Sequence, residues 1–160
     1  MHSRVDLTNV SPDACQAMLG LENFLRKSSN LEHSLLELVK VRASQINGCA
    51  YCIDMHTKDA RAAGETEQRL YALNAWRETP FFSDRERAAL EWTEAVTLIY
   101  NHHVPDSVYD DVRTRFPEEE LVTLTMAVVA INGWNRLMIA FRGVPGEYRP
   151  AARRAEGAGR

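Results

Sequence analysis

The segment Gly48-Cys49-Ala50-Tyr51-Cys52-Ile53-Asp54-Met55-His56 holds the residues best suited to chemistry. A helix starting near Cys49 would carry Cys49, Cys52 and His56 at i, i+3 and i+7, on one face. Cysteines in a first turn meet unpaired backbone N–H groups and the positive end of the helix dipole. Both favour the thiolate, which is the nucleophile. His56, one turn beyond Cys52, is close enough to take its proton or to form a charged pair with it. Two thiols at this spacing can also condense to a disulfide once one of them is oxidised. Glu37 stands twelve positions before Cys49. If the chain turns back at Gly48, Glu37 can face the same junction, where desolvation and His56 would shift its pKa and let it hold or relay a proton.

The elements that must position these residues are all helical, because no stretch alternates like a strand. Pro12 opens a helix of about 12–27. Asn30 is the expected N-cap of a second, over about 31–47, with a buried stripe of Leu35, Leu38, Val39, Arg42 and Ile46. Asn47-Gly48 ends it, since both residue types tolerate left-handed backbone angles. The cysteine helix follows from Cys49 to Ala63, then a short one over about 67–77. Ser83-Asp84-Arg85-Glu86 has capping-box spacing and opens a helix of about 84–100, with Ala88, Trp92, Ala95 and Ile99 on its inner face. Pro105 opens a short helix to Arg115. Pro117 and three glutamates start the last long one, lined by Leu121, Leu124, Val128, Ile131 and Met138. From Gly143 the chain reads as a docking arm, with a flexible tail from about 150. The whole, residues 1–160, is expected to form one all-α domain of six to seven helices.

Composition narrows the function. A net charge of −3 with no basic stripe argues against nucleic acid as a partner. Apolar stretches read as too short to cross a bilayer, and no signal region follows the amino terminus. The cytoplasm is the expected compartment. Three cysteines argue against a disulfide scaffold and leave redox chemistry or metal binding for the close pair. A zinc site would need Cys49, Cys52 and His56 plus a fourth ligand, such as Glu37 or Cys15. Haem attachment needs His directly after the second cysteine, where Ile53 stands. Cys15 reads as a small buried hydrophobe, and Trp92 and Trp134 as core or subunit-contact residues. His102-His103 falls in a loop or helix cap, and His2 and His33 lie on the surface. Leu36, Val41, Val129 and Ile139 lie beyond a single stripe and are candidates for contacts in a homo-oligomer.

Glu37, eleven residues, Cys49-x-x-Cys52, three residues and His56 resemble the core motif of alkyl hydroperoxidase D (AhpD)-like proteins of the carboxymuconolactone decarboxylase superfamily. The surrounding LVKVRASQINGCAYCIDMHTKDAR, ALNAWRETPFFSDRERAALEWTEAVT and INGWNRLMIAFR match as well. The likeness runs from about Leu31 to Arg142. The resemblance implies an all-α fold, trimers or hexamers, and reduction of organic hydroperoxides without a bound cofactor or metal. It makes Cys52 the attacking thiol, Cys49 the resolving one, and His56 and Glu37 the proton relay. The reductant would be an external dithiol, such as a lipoyl group on a carrier protein. The best-known members place a histidine directly before the second cysteine, whereas this chain has Tyr51. One relay step is then absent or carried by another group, and Tyr51 is the candidate substitute. The superfamily's decarboxylases lack the cysteine pair, which disfavours lactone decarboxylation. The residues also leave open a redox sensor whose pair switches between dithiol and disulfide to alter a partner contact.

Overall fold

Gly48 sits at φ +70°, a left-handed angle that costs a residue without Cβ little, and the helix before it stops there. The Gly48 N–H donates to the Gln45 carbonyl and the Cys49 N–H to the Ser44 carbonyl, at 3.3 and 3.0 Å. The next helix starts at once and doubles back. In this computed structural model, which describes residues 2–28 and 30–150, every α-helix and the single 3₁₀ helix follow the order α1 (Leu7–Val10), α2 (Pro12–Lys27), α3 (His33–Asn47), α4 (Ala50–Ala62), α5 (Glu67–Ala72), a 3₁₀ helix (Leu73–Glu78), α6 (Asp84–Thr97), α7 (Ile99–His102), α8 (Asp106–Arg115) and α9 (Glu118–Phe141). No strand occurs among the described residues. The expected flexible tail lies outside them.

The all-α architecture agrees with expectation, but the helix count exceeds six to seven for local reasons. Asp6 accepts the N–H groups of Thr8 and Asn9, which closes the extra turn α1. The segment expected as one helix over 67–77 tightens to 3₁₀ at Leu73 and kinks at Ala75. The Ser83 capping box forms as read, but the helix of 84–100 breaks at Leu98. Ile99 therefore starts α7 and is exposed rather than on the inner face. His102 is the last residue of α7, and His103 caps it at φ +54°. Glu32, not Asn30, occupies the cap of α3, without a side-chain hydrogen bond.

α3 is the central element and packs on α4, α6 and α9, while α2 covers α9 and α8 covers α6. Leu35, Leu38 and Val39 are buried as the stripe requires. Arg42 is paired, its Nε donating to Glu94 at 2.8 Å. Leu36 and Val41 are buried within the chain itself, so they are not candidates for a subunit contact. α3 is enclosed on several sides, which a one-stripe reading does not anticipate. α9 corrects a second expectation: at 24 residues it is long and apolar enough to cross a membrane by length and composition. In the fold it packs along α2, α3 and α6, with Leu124, Ala127, Val128 and Ile131 in the core. Gly133 lets α2 approach, since a Cβ there would stand 2.8 Å from the Met18 methyl.

Candidate active site

The site lies where the start of α4 meets α3 and α9. Cys49 is the N-cap of α4, and its sulfur accepts the Cys52 N–H at 3.4 Å. Both thiols are buried and unbridged. They pack with Ala43 and Ile131, flanked by Tyr51, Trp134 and Met138. Asn135, fully buried on α9, donates to Ser44 Oγ at 3.0 Å and accepts from Asn47 Nδ2 at 2.8 Å. Its side chain also hydrogen-bonds the two sulfurs, which lowers the pKa of each. No local signal in the sequence marked Asn135, because only the packing of α9 on α3 brings it to the cysteines.

The two sulfurs divide one proton unequally. The Cys49 thiol falls to about 7, first because the Cys52 S–H donates to it; burial opposes this, and the Cys52 N–H, Asn135 and the Tyr51 N–H assist. The Cys52 thiol is pushed up because its hydrogen is held by Cys49, with burial and the Cys49 charge adding to the rise. The favourable helix start therefore acts on Cys49, the capping residue. Reach is divided the other way. Cys52 lines a cavity of about 650 Å³, whereas Cys49 sits behind it.

On the same cavity wall His56 Nδ1 lies 2.9 Å from Glu37 Oε2. Both side chains are buried, at 7% and 3% exposure, so the pair is shielded from bulk water. Burial pushes the Glu37 carboxyl up, but the His56 hydrogen bond and the charges of His56, Lys40 and His33 outweigh it and leave the pKa below its ordinary value. Lys40 Nζ stands 3.5 Å from Glu37 Oε1 and 3.3 Å from Glu22. The fold-back expected from Gly48 thus brings Glu37, Cys49, Cys52 and His56 into one junction. His33 is exposed, yet its Nε2 comes within 4.0 Å of Glu37.

Leu19, Leu25, Leu36, Met55, Trp134 and Met138 give the cavity an apolar interior, with Lys40 and Asp59 among its charged groups. Trp134 is thus a cavity wall rather than core, and Cys15 is half-buried in the same lining rather than a buried hydrophobe. Trp92 is buried, its indole N–H donating to Thr125 at 3.0 Å. Tyr51 lines the cavity too. Burial, then the charges of Cys52, Asp54 and Cys49, push its phenol up, so it can donate a proton in a hydrogen bond but does not act as a base. A zinc site on the cysteines is not assembled. Among the described residues, the donor atoms close enough to share an ion belong to Glu37, His56 and Asp59, within 4.8 Å of one another. Two of these three are already hydrogen-bonded together beside the Lys40 ammonium. Asp59 was legible in principle, at i+3 from His56, but an acid on a polar helix carries no signal of its own.

Comparison with known proteins gives the chain relatives. Residues 12–95 match the Carboxymuconolactone decarboxylase family. An uncharacterized protein of Bacillus subtilis (strain 168), YdfG, is 47% identical over 140 residues, 88% of this chain and 95% of that protein. A protein of unknown function from Agrobacterium tumefaciens, named as a candidate antioxidant defence protein AhpD, superposes with a TM-score of 0.88 at 42% identity, covering 92% of this chain and all of that one. An AhpD-core, peroxidase-related protein from Ralstonia eutropha JMP134 shares the fold at a TM-score of 0.78 and 20% identity, over 88% of this chain and 74% of that one. The debrominase Bmp8 shares it at 0.78 and 19%, over 88% and 75%. By sequence and by fold, the chain belongs to the carboxymuconolactone decarboxylase family as an AhpD-like member.

Proposed function

We propose that the chain is a cofactor-free dithiol peroxidase that reduces organic hydroperoxides. The observation that carries this reading is the placement of Cys52 and the Glu37–His56 pair on one largely apolar cavity, with Cys49 directly behind Cys52. The dithiol holds a single proton near neutral pH, and its shift from Cys52 to Cys49 puts the thiolate on the sulfur that faces the cavity. Cys52 attacks the distal peroxide oxygen and the O–O bond breaks. The imidazolium of His56, held by Glu37, gives its proton to the departing alkoxide, leaving alcohol and a Cys52 sulfenic acid. Cys49 then attacks the Cys52 sulfur, and the expelled hydroxyl leaves as water with the Cys49 proton. Two thiol electron pairs become one disulfide bond as the peroxide gains two electrons. An external dithiol, such as a lipoyl group on a carrier protein, reduces the disulfide. The reading places the chain in a reducing compartment, the cytoplasm, and in a homo-oligomer of three or six copies. Val129 and Ile139, exposed on α9, support such an assembly, and a monomer mass by light scattering would contradict it.

Stopped-flow mixing with cumene hydroperoxide and a dithiol tests the activity: wild type consumes peroxide and Cys52→Ser does not. Equal consumption by the variant would overturn the reading. A second reading, a redox switch that alters assembly, is favoured by Tyr51, whose phenol stays protonated and cannot serve as a base beside the cysteines. It requires sedimentation to change on oxidation while turnover stays negligible.

A further inference from the structure

Beyond α9 the chain crosses back over α4 as a strap. Arg142 turns it at φ +55°, and Gly143 passes the Tyr51 ring, where a Cβ would come within 3.4 Å. The strap is fastened to the cysteine helix. The Gly146 N–H donates to Asp54 at 2.9 Å, Lys58 Nζ donates to the carbonyls of Gly146 and Tyr148 at 3.2 Å each, and the Tyr148 hydroxyl donates to Asp59 Oδ1 at 2.7 Å. The expected docking arm is therefore present, and its last anchor is a carboxylate of the active-site cavity.

Asp59 stands one turn beyond His56 on the same face of α4, with its oxygen within 4.8 Å of both the Glu37 oxygen and the imidazole nitrogen. That span is one that a single water can bridge. Among the described residues, the other charged or titratable groups around the imidazole and its cavity include Glu22 and Arg26 on α2, Glu37, Lys40 and His33 on α3, Tyr51 and Cys52 on α4, and Tyr148 on the strap. Glu37 and His56 are both buried, so a proton used at Cys52 needs a way out to solvent. Glu37 is already committed to Nδ1, and Lys40 to Glu37 and Glu22. Asp59 is half-buried, and Tyr148 pins one of its oxygens.

Resting on the peroxidase reading, we propose that Asp59, oriented by Tyr148 of the C-terminal strap, is the carboxylate through which His56 exchanges protons with solvent. Asp59 takes no part in bond making at sulfur. It returns to His56 the proton that the departing alkoxide or thiolate removes.

The full-length protein carries the test in two half-reactions: oxidation of the dithiol by cumene hydroperoxide, and reduction of the Cys49–Cys52 disulfide by dithiothreitol, each followed at pH 7. Asp59→Asn should slow both about tenfold, with millimolar sodium formate restoring most of the rate, and Tyr148→Phe should slow both about threefold. Asp59→Glu, which keeps the carboxylate, should recover much of the loss. Rates within twofold of wild type for Asp59→Asn would overturn the proposal, as would a loss that neither formate nor Asp59→Glu restores. If hydroperoxide fails to oxidise even the wild type, the peroxidase reading falls, and the dithiothreitol half-reaction still decides the role of Asp59.

Discussion

Two shielded glutamates on neighbouring helices look alike and are put to different use. Glu37 on α3 and Glu94 on α6 both have carboxyls that burial pushes up and hydrogen bonds pull below the ordinary value. Glu94 accepts from the Trp76 indole and from Arg42 Nε, each at 2.8 Å, and from Arg77. Guanidiniums keep their protons at any pH the fold survives, so this cluster can only hold the 3₁₀ helix, α3 and α6 together. Glu37 faces an imidazole, a group that can both take and give a proton, and that imidazole opens on a cavity with a thiol in its wall. α3 serves both clusters from different sides, since Glu37 and Arg42 are five residues apart on it. Burial and a depressed carboxyl therefore do not single out a candidate acid; a partner able to pass a proton on does.

The contrast can be broken by exchanging each acid for its amide. Glu37→Gln should lower peroxide turnover per folded molecule by about 10²-fold, because His56 loses the carboxylate that holds its Nδ1, and should cost some stability as well. Glu94→Gln should leave turnover per folded molecule nearly unchanged. It takes the counter-charge from the half-buried Arg42 guanidinium, while Arg77 is exposed and keeps Glu91, and should cost about 2 kcal/mol of stability in denaturant unfolding. Turnover lost in Glu94→Gln and kept in Glu37→Gln would invert the assignment.

Acid sharpens the same contrast. Both carboxyls sit below their ordinary 4.5 in the folded chain, so the stability each adds is complete above that pH and is lost as pH falls through the folded value. Each amide variant should therefore lose stability less steeply than wild type as the pH drops below 4.5, measured as melting temperature against pH. An acid limb as steep as that of wild type in Glu94→Gln would show that Glu94 is not held by its guanidiniums. The smallest effect is expected at Tyr51→Phe, which keeps the ring against the Cys49–Cys52 cluster and removes a phenol that does not serve as a base; turnover should stay within about twofold. A larger loss would make Tyr51 a relay group after all.

Much of the fold was readable because its signals are local. Pro12, the Ser83 capping box and the Asn47-Gly48 stop act within a few residues, and the helices begin or end where those residues stand. The misjudged places depend on neighbours. Leu98 breaks a helix that its side-chain pattern would continue, and Leu36 and Val41 are buried because α3 is wrapped on several sides. At the site, spacing brought Cys49, Cys52 and His56 into view, and the Gly48 turn pointed to Glu37. Asn135, Lys40 and Tyr148 carry no such mark, because nothing near them in the chain distinguishes them from ordinary polar residues.

The sequence by itself determined which candidate groups stand close together and the turn that brings an acid toward them, since both follow from the covalent order of residues and from the backbone freedom of one glycine. Tertiary structure alone decided how the proton is shared. Which sulfur faces the cavity, how Asn135 meets the pair, and which carboxylate stands against the imidazole all depend on groups brought together from α9, α3 and α4. Electrostatic energy falls off over a few ångströms in space, and distance along the chain does not report it.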